Sequence, residues 1–566
     1  MGKFGGTLTV TIKKAGDWLF MFVERHFLVL LLFILAIGVR IYQFGAVPGG
    51  FNQDEAIAAY DAYMVARYGM DRFQMRLPIY FTAWGFGQQS AFMHYTMVPF
   101  FWVMGLTVTA ARLPVLIFSL LGLFAMYKFV DDAFGKKPIT LAVLAFGAIN
   151  PWHIMQSRWA LDCNMFPHLM MMGCWFLYRG IKALETQNHV SAGKPKAKAK
   201  TASAKKQLFN PWLAASMVAF SFCLYAYGIA LYSVPVFLLA MAVYLLVIDK
   251  ERYLVPLLIS FGVFMLISWP IFAMVYINLF ELPSFSVFGF TVPFFPYTAR
   301  AGDLLFFADD RMRQLGWNAR SLSHILLQQD DAPWNAISGF GTLFKWSVPF
   351  TAFGLFTTLS ARKSLGKTIL LYWLAMAIFA GLVVRGVNVN RGNILFYPLI
   401  IITGIGLYEV AMLAKKTYVR WAVVAAMIVV GGLSFGFFTR SYFGEHNRAL
   451  TNMFFADFFQ TVDAVQEKDY DRLYVTMHVT ARYQGVLSEV LWLFGARTEP
   501  TLFWDQETFR DRYRFRNFHA VPYPPESPDI NVLYIFNVHE AHFFPHDLFE
   551  ITWIESFGVA RFRETG

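Results

Sequence analysis

The sequence predicts an α-helical membrane protein that crosses the bilayer many times and carries a small exported α/β domain at its C-terminus. Two compositional observations and one pattern support this fold class. Of the 566 residues, 57% are hydrophobic and only 15% are charged, which is more apolar surface than a soluble domain of this size needs. The mean hydropathy is +0.46, and apolar runs of spanning length recur along the chain.

These apolar runs predict about eleven transmembrane helices. No small-residue cleavage site follows the first run, which therefore indicates a retained helix rather than a signal peptide. The run 91–105 could be a further span or a helix that lies at the membrane surface. The eleven predicted spans are 26–43, 112–130, 138–150, 165–180, 211–227, 229–248, 254–278, 342–360, 368–385, 393–413 and 420–437.

The distribution of lysine predicts the topology. If the N-terminus is cytoplasmic and 91–105 does not cross, lysines gather in the cytoplasmic loops, above all in the Lys-rich loop 181–210. The opposite loops, 44–111 and 279–341, contain no lysine. This positive-inside pattern places 91–105 at the interface and the two large loops on the exported side. The net charge of +11 is thus explained by membrane topology and predicts no nucleic-acid partner.

The chain divides into a membrane domain, 1–438, and an exported C-terminal domain, 439–566. In the C-terminal domain "MFFADFFQTVDAVQEK" and "YQGVLSEVLWLFG" have helical periodicity, while "RLYVTMHV" and "INVLYIFNV" are typical of strands. The last segment, "FEITWIESFGVARFR", predicts a hairpin that turns at Gly558. The three cysteines show no metal-ligand spacing and no disulfide framework.

The first candidate functional residues are the adjacent carboxylates Asp54 and Glu55 in "GGFNQDEAIAAYDAYMVARYG". They open an amphipathic segment, 56–69, which is typical of an interfacial helix. In one interpretation Asp54 caps this helix and Glu55 complements its dipole. In the other, both are working acids at the membrane face, where a lipid-borne substrate presents its head group. The spacing leaves both interpretations open.

The second candidate constellation is "NPWHIMQSRWALDCNMFP", on the same predicted side of the membrane. Arg158 and Asp162 are four residues apart, so on a helix they would share a face and could pair with each other. Alternatively Arg158 faces a phosphate, because its planar guanidinium suits anionic oxygens, and Asp162 is a further catalytic carboxylate.

The order of these motifs resembles the GT-C superfamily of membrane glycosyltransferases. A first helix is followed by an exported loop opening on "DE", then by "ARLPVLIFSLLGLFAMYKFVDDAFGKK" and "INPWHIMQSRWALD". The later "NVNRGNILFYPLIIITGIGL" resembles an Arg-Tyr-x-x-Pro stretch before a span, although it has Arg-Gly-Asn here. The resemblance covers roughly residues 20–440. It is strongest to the branch that holds protein mannosyltransferases and lipid A aminoarabinose transferases.

That resemblance implies a site. Asp54 would be the catalytic base beside Glu55, and Asp162 would line the same cavity. The family's His-Pro-Pro or Lys-Pro element is absent from "GQQSAFMHYTMVPFF", which offers His94 instead. The "DD" of "FFADDRMRQ" could close over the substrate or could be an ordinary charged surface. The expected donor-phosphate residues are Arg158, Arg391 and Arg385, and the remaining cavity candidates are Tyr60, His94, Asp309 and Asp310.

The resemblance further implies an inverting transfer of sugar from a polyprenyl-phosphate donor to a lipid, glycan or protein acceptor, among membrane lipids. These residues require no metal, although Asp54, Glu55 and Asp162 could hold a divalent one. A bacterial plasma membrane is the expected location. Two other hypotheses stay open: a transporter or flippase of a lipid-linked glycan, and a non-catalytic scaffold. A transporter usually carries charges in its spans and often internal repeats, whereas these spans are nearly free of charge and show no repeat.

Overall fold

A computed structural model describes residues 26–83, 87–192, 209–295, 304–466, 468–476, 484–497, 514–515, 518–521 and 531–563. The predicted fold class is confirmed: the chain is mostly helical, with several apolar helices and a small C-terminal sheet. The lysine-dense segment 193–206 and the predicted cytoplasmic N-terminus lie outside the described residues.

The membrane domain contains a helix at every predicted apolar run. A backbone in hydrocarbon must satisfy its own polar groups, so long apolar runs become helices. Within the described residues, five helices are long and apolar enough to cross a membrane: α4, α9, α12, α14, and α13 with the turn before it. The helices are α1 His26–Ile41, α2 Gln53–Tyr68, α3 Ala91–Met104, α4 Val108–Phe134, α5 Lys137–Ile149, α6 Pro151–Gln156, α7 Phe166–Ala192, α8 Pro211–Ala226, α9 Ala230–Leu279, α10 Arg311–Ser323, α11 Val348–Ser360, α12 Leu365–Val383, α13 Phe396–Leu413 and α14 Thr417–Tyr442.

Helix α9 merges two predicted spans. Asp249, between them, has non-helical dihedral angles (φ −157°, ψ 86°), so the chain bends where the apolar run is interrupted by charged residues. The carboxylate of Asp249 accepts a hydrogen bond from the backbone N–H of Arg252 (3.1 Å), which restarts the helix after the kink.

Close helix packing in the membrane domain depends on two glycines. Helices α11 and α13 cross where Gly354 and Gly406 face each other. A Cβ atom at Gly406 would overlap the carbonyl oxygen of Phe350, and one at Gly354 would overlap that of Ile402. Small residues of this kind let two backbones approach in a bilayer, where packing rather than water exclusion drives helix association.

Two short hairpins accompany the large loops. The first consists of β1 Tyr80–Ala83 and β2 Gly87–Ser90, and it leads directly into α3. Helix α3, the ambiguous run 91–105, packs against both α2 and α4. The second hairpin consists of β3 Phe285–Val287 and β4 Phe290–Val292, which follow α9.

The C-terminal region forms a mixed sheet flanked by helices. The described strands lie in the order β6-β7-β5-β8-β10-β9, with β5 parallel to β7 and β8. The predicted turn at Gly558 is wrong: Gly558 lies inside β10, where a Cβ would overlap the ring of Phe536, and the chain turns at Glu555 and Ser556. The elements are α15 Glu445–Met453, α16 Ala456–Gln466, β5 Arg472–Val475, α17 Gln484–Gly495, β6 Arg514–Phe515, β7 Phe518–Ala520, β8 Val532–Asn537, β9 Phe549–Ile554 and β10 Phe557–Phe562.

Candidate active site

Asp54 lies in the first turn of α2 and is half-buried. The helix cap is Asn52, whose side chain accepts a hydrogen bond from the N–H of Asp54 (3.0 Å). Glu55 Oε2 accepts one from the N–H of Asn52 (3.0 Å), which completes a capping box. The interpretation of Asp54 as the helix cap is therefore wrong, because Asn52 performs that function.

Glu55 is a structural partner of Arg112, at the start of α4. The guanidinium donates from Nε to Glu55 Oε1 (2.9 Å) and from Nη2 to Oε2 (2.8 Å), and both side chains are fully buried. The N–H of Ala160 also donates to Oε1 (2.6 Å). With its oxygens held by these donors and by Asn52, Glu55 positions the turn that carries Asp54. This geometry corrects the expectation that Glu55 is a catalytic group.

Residues of the C-terminal region stabilise the same turn. The N–H of Phe51 donates to the carbonyl of Phe454 (2.5 Å), and that of Gly49 donates to the side chain of Asn447 (2.7 Å). The ring of Phe51 stacks on Phe494 of α17, with 4.3 Å between ring centroids. The backbone before Asp54 is therefore held from two sides, by α4 and by the C-terminal helices.

Two consecutive residues at the end of β2, Gln89 and Ser90, join the two acidic segments; we call them the Gln89–Ser90 corner. The amide Nε2 of Gln89 donates to the carbonyl of Asp54 (3.3 Å). The N–H of Ser90 donates to Asp162 Oδ2 (3.2 Å), while the N–H of Cys163 donates to Oδ1 (2.8 Å). The corner thus brings together residues that lie far apart in the sequence.

The late loop, residues 385–393, reaches the same place. The side-chain amide of Asn393 donates to the carbonyl of Cys163, next to Asp162. Two residues earlier, Arg391 is half-buried; its N–H donates to Asn388 Oδ1 (2.9 Å) and its Nη1 donates to the carbonyl of Arg385. Arg385 itself is exposed. Asn393 thus attaches the late loop to the segment that carries Asp162, and the guanidinium of Arg391 is held within the loop.

Arg158 does not belong to the donor-phosphate group. Its guanidinium is fully buried, and its five N–H groups donate to five backbone carbonyls, at 2.7–3.2 Å. Four of these carbonyls belong to residues around the end of α1, where a helix leaves its last carbonyls unsatisfied. Helix α6 ends at Gln156, so Arg158 and Asp162 do not share a helix face as predicted. The accepting residues are Val39, Arg40, Tyr42, Gln43 and Val47.

The other two inner candidates, Tyr60 and His94, are fully buried. His94 Nδ1 donates to the carbonyl of Ser90 (2.9 Å), and its ring stacks on Phe81 with 3.9 Å between centroids. Burial lowers the pKa of His94 to about 3, so the imidazole is neutral at physiological pH. His94 therefore supports the Gln89–Ser90 corner rather than lining a cavity.

The acidic pair of the second large loop is exposed. Asp310 is the N-cap of α10, where its Oδ1 accepts from the N–H of Arg313 (3.0 Å), and Asp309 precedes it. Helix α10 is fixed to α12 through Asn318, whose Nδ2 donates to the carbonyl of Leu382 (2.8 Å). This favours the interpretation of Asp309 and Asp310 as an ordinary charged surface.

Sequence reasoning missed Arg112 and a buried polar chain in the membrane domain. Arg40 donates to His153 Nδ1 (2.9 Å), and the hydroxyl of Tyr397 lies 3.0 Å from His153 Nε2 and 2.9 Å from His168 Nδ1. The sequence contains a signal for both Arg40 and Arg112. Each lies at the end of an apolar run, where a charge is costly unless a specific partner receives it.

The three carboxylates do not converge on a metal site. Both oxygens of Glu55 and both of Asp162 already accept hydrogen bonds from N–H groups. Within the described ranges, no group of three or more His, Cys, Asp or Glu side chains could hold a metal ion. No resident divalent cation is assigned to these residues.

Two proteins whose solved structures share this fold, ArnT and AglB, are members of the GT-C superfamily. ArnT from Cupriavidus metallidurans, a lipid A aminoarabinose transferase, matches in the apo state with a TM-score of 0.52 and 12% identity, over 97% of this chain and 98% of that one. Its structure bound to undecaprenyl phosphate matches with a TM-score of 0.52 and 13% identity, over 97% and 99%.

The archaeal oligosaccharyltransferase AglB from Archaeoglobus fulgidus, in complex with an inhibitory peptide and a dolichol-phosphate, matches with a TM-score of 0.53. The identity is 10%, over 91% of this chain and 70% of that one. No protein-family model and no curated protein sequence matches the chain. At such low identity the comparisons establish the fold alone, and this fold is the predicted one. The five long apolar helices support an integral membrane protein.

Proposed function

We propose that this protein is an inverting glycosyltransferase that moves a sugar from a polyprenyl-phosphate donor to the nucleophile of an acceptor. The observation that carries the proposal is that the Gln89–Ser90 corner joins the segments of Asp54 and Asp162, while Asn393 attaches the Arg391 loop to the carbonyl of Cys163, next to Asp162. Structures with this fold hold undecaprenyl phosphate and dolichol-phosphate, which supports the same class of lipid for the donor.

Asp54 acts as the general base. As the acceptor nucleophile attacks the anomeric carbon, its proton passes to the carboxylate, a contribution of about 10²–10⁴-fold in typical enzymes. The reaction depends on where the carboxylate stands, and that position is set by the capping box and by the buried Glu55–Arg112 pair. Asp162, oriented by the N–H groups of Ser90 and Cys163, is the second carboxylate and aligns the acceptor.

Arg391, with Arg385 beside it, stabilises the departing phosphate. Charge develops on the phosphate oxygens as the bond to the sugar breaks, and a positioned guanidinium offsets that charge. The contact between Arg391 Nη1 and the carbonyl of Arg385 holds the two residues in one loop. Because phosphate is a good leaving group, the mechanism needs no general acid.

The acceptor class follows from chemistry rather than from a recognised motif. Any hydroxyl, amine or amide nucleophile of a lipid, glycan or protein satisfies the role assigned to Asp54. The absence of lysine from loops 44–111 and 279–341 supports an active site on the exported side of the membrane.

The test compares the wild type with Asp54→Asn. Both proteins are purified in detergent and supplied with radiolabelled polyprenyl-phosphate sugars and a membrane-lipid or cell-wall extract. Sugar transfer and donor binding are measured separately. The matched control is Glu445→Gln, an exposed acid in the first turn of α15.

We expect Asp54→Asn to lose at least about 100-fold in transfer rate while donor binding survives, since only the proton acceptor is removed. The control should transfer at the wild-type rate. Transfer by Asp54→Asn near that rate would eliminate Asp54 as the base. A wild type that moves the lipid across a bilayer without transferring sugar would replace the enzyme by a transporter.

A further inference from the structure

The last turn of α9 and the segment that follows it are aromatic and almost uncharged. Between positions 276 and 295 the only charged residue is Glu281. The β3–β4 hairpin occupies the middle of this segment, and Phe288, at its tip, is 91% exposed. The aromatic residues of the segment are Tyr276, Phe280, Phe285, Phe288, Phe290, Phe294 and Phe295.

The turn of the hairpin places Phe288 in an unfavourable backbone conformation. Both turn residues have positive φ, 50° at Phe288 and 83° at Gly289. A two-residue turn with two positive φ angles normally takes Asn-Gly or Asp-Gly, and a bulky side chain there is uncommon. Since the ring is almost fully exposed, packing within the described chain does not account for it.

The two faces of the hairpin differ. Register pairs Phe285 with Val292 and Val287 with Phe290, so these apolar side chains share one face. Thr291 lies on the other face, where it is bonded to the first large loop. Its hydroxyl donates to the carbonyl of Arg76 (2.7 Å), and its own carbonyl accepts from the N–H of Ile79 (3.0 Å). The hairpin is therefore fixed to the segment that leads into β1 and the Gln89–Ser90 corner.

The apolar surface of the hairpin continues that of α9. Near its end, α9 exposes Leu266 (75%), Tyr276 (57%) and Leu279 (68%), as expected of a helix facing lipid. The exposed rings of Phe280, Phe285 and Phe290 extend this surface past the end of the helix. Aromatic side chains with few charges are typical of the zone between head groups and acyl chains.

We propose that the β3–β4 hairpin inserts Phe288 into the bilayer interface on the side that carries Asp54. The partner of the exposed apolar surface of the hairpin is thus lipid, which also covers α9. A second part of the proposal rests on the proposed function. The hairpin sets the depth of the first large loop in the bilayer, and with it the distance of the active site from the acyl chains. A donor phosphate at a fixed depth in the bilayer would then meet Asp54 and Arg391 at the correct level.

The insertion is tested with one fluorescent label. The native cysteines Cys163, Cys174 and Cys223 are buried, so the wild type serves as the labelling blank. Phe288→Cys carries an environment-sensitive dye and is reconstituted in phosphatidylcholine–phosphatidylglycerol vesicles with nitroxide-bearing lipids. Glu550→Cys, on the exposed strand β9, is the aqueous control.

We expect the dye at position 288 to be blue-shifted and quenched several-fold more by lipid nitroxides than the dye at position 550. An aqueous quencher should act in the opposite order. If the dye at 288 is as accessible to the aqueous quencher as the control dye, the insertion is refuted. This outcome is independent of whether the protein transfers sugar.

The depth role is tested with Phe288→Asp, which adds a charge at the tip without removing an internal contact. We expect several-fold slower transfer from a long-chain donor in vesicles, and unchanged transfer from a short-chain donor in detergent. Equal rates of wild type and variant in vesicles would eliminate the depth role, as would an equal loss in both assays. A wild type without any transfer would instead overturn the proposed function, and the label experiment would still decide on insertion.

Discussion

The arginines around the start of α2 and those of the late loop serve different purposes. Arg112 and Arg158 are fully buried, and their N–H groups donate to Glu55 or to backbone carbonyls. Arg391 is half-buried and Arg385 is exposed, and both lie in a loop beside Asp162. The sequence presents Arg158, Arg391 and Arg385 as similar candidates for binding a phosphate, and it does not single out Arg112.

Burial explains the difference. A guanidinium has five donors and stays charged, so taking it out of water requires a partner for every N–H group. An arginine that satisfies this condition with backbone carbonyls has no donor left for a substrate. A phosphate site instead needs an arginine at an accessible surface, and the late loop provides one. Arg112 and Arg158 are therefore structural elements that hold the loop between α1 and α2.

The largest effect expected from this comparison is that of Arg112→Met. It leaves Glu55 buried without its cation and several carbonyls without donors, at a cost of about 3–5 kcal/mol. Thermal unfolding in detergent should show a large fall in midpoint or no folded protein. The double variant Glu55→Gln with Arg112→Met should recover part of the loss, because the isolated charge is gone. If Arg112→Met unfolds at the same temperature as the wild type, the structural role assigned to the buried arginine is wrong.

Arg158→Gln should also destabilise the fold, by at least about 2 kcal/mol, because several carbonyls around the end of α1 lose their donors. The folded fraction should bind the polyprenyl-phosphate donor with wild-type affinity. Unfolding midpoint and equilibrium donor binding are measured on the same preparation. A normal midpoint combined with weak donor binding would return Arg158 to the phosphate site.

Arg391→Gln should show the reverse pattern. Losing a charge-assisted contact of about 1.5–3 kcal/mol weakens binding of radiolabelled donor by roughly 10–100-fold. The unfolding midpoint should stay close to that of the wild type, because the side chain is only half-buried. Arg362→Gln, an exposed arginine between α11 and α12, is the control for a general charge effect. If both variants bind donor equally well, Arg391 does not contact the phosphate.

The smallest effect concerns Asp71, in the first large loop. Burial, and secondarily the charge of Asp61, raises the pKa of Asp71 from 3.8 to about 7. Between these values the folded protein keeps a proton that the unfolded chain has lost, so stability falls as pH rises from about 4 to 7. Asp71→Asn should flatten this slope by up to about 1.4 kcal/mol per pH unit.

Unfolding midpoints between pH 5 and 8 test this expectation, with the exposed Asp463→Asn as the control. Some dependence of stability on pH near 6 should remain in Asp71→Asn as well, because burial also raises the pKa of Asp61, to about 6. Parallel pH profiles for wild type and Asp71→Asn would mean that Asp71 does not titrate in this range.

The candidate site was predictable only in part. Asp54, Asp162 and Arg391 were selected from their motifs, and the structure brings their segments together. Gln89 and Ser90, which join the segments of Asp54 and Asp162, carry no pattern in the sequence. Glu55 and Arg158 were selected from the same motifs and have structural roles. The type of residue indicates what it can bind, but only its neighbours in space decide what it does bind.

By itself, the sequence determined the apolar helices of the membrane domain and the principal elements of the C-terminal domain. Apolar runs in a bilayer have no stable alternative to a helix, and alternating patterns specify strands locally. Only the tertiary structure decided which arginines face carbonyls, which helix cap precedes Asp54, and which residues join the two acidic segments. Those contacts connect positions up to several hundred residues apart, as between Cys163 and Asn393. Hydrogen-bond partners at such separations depend on the packed fold, and no local pattern encodes them.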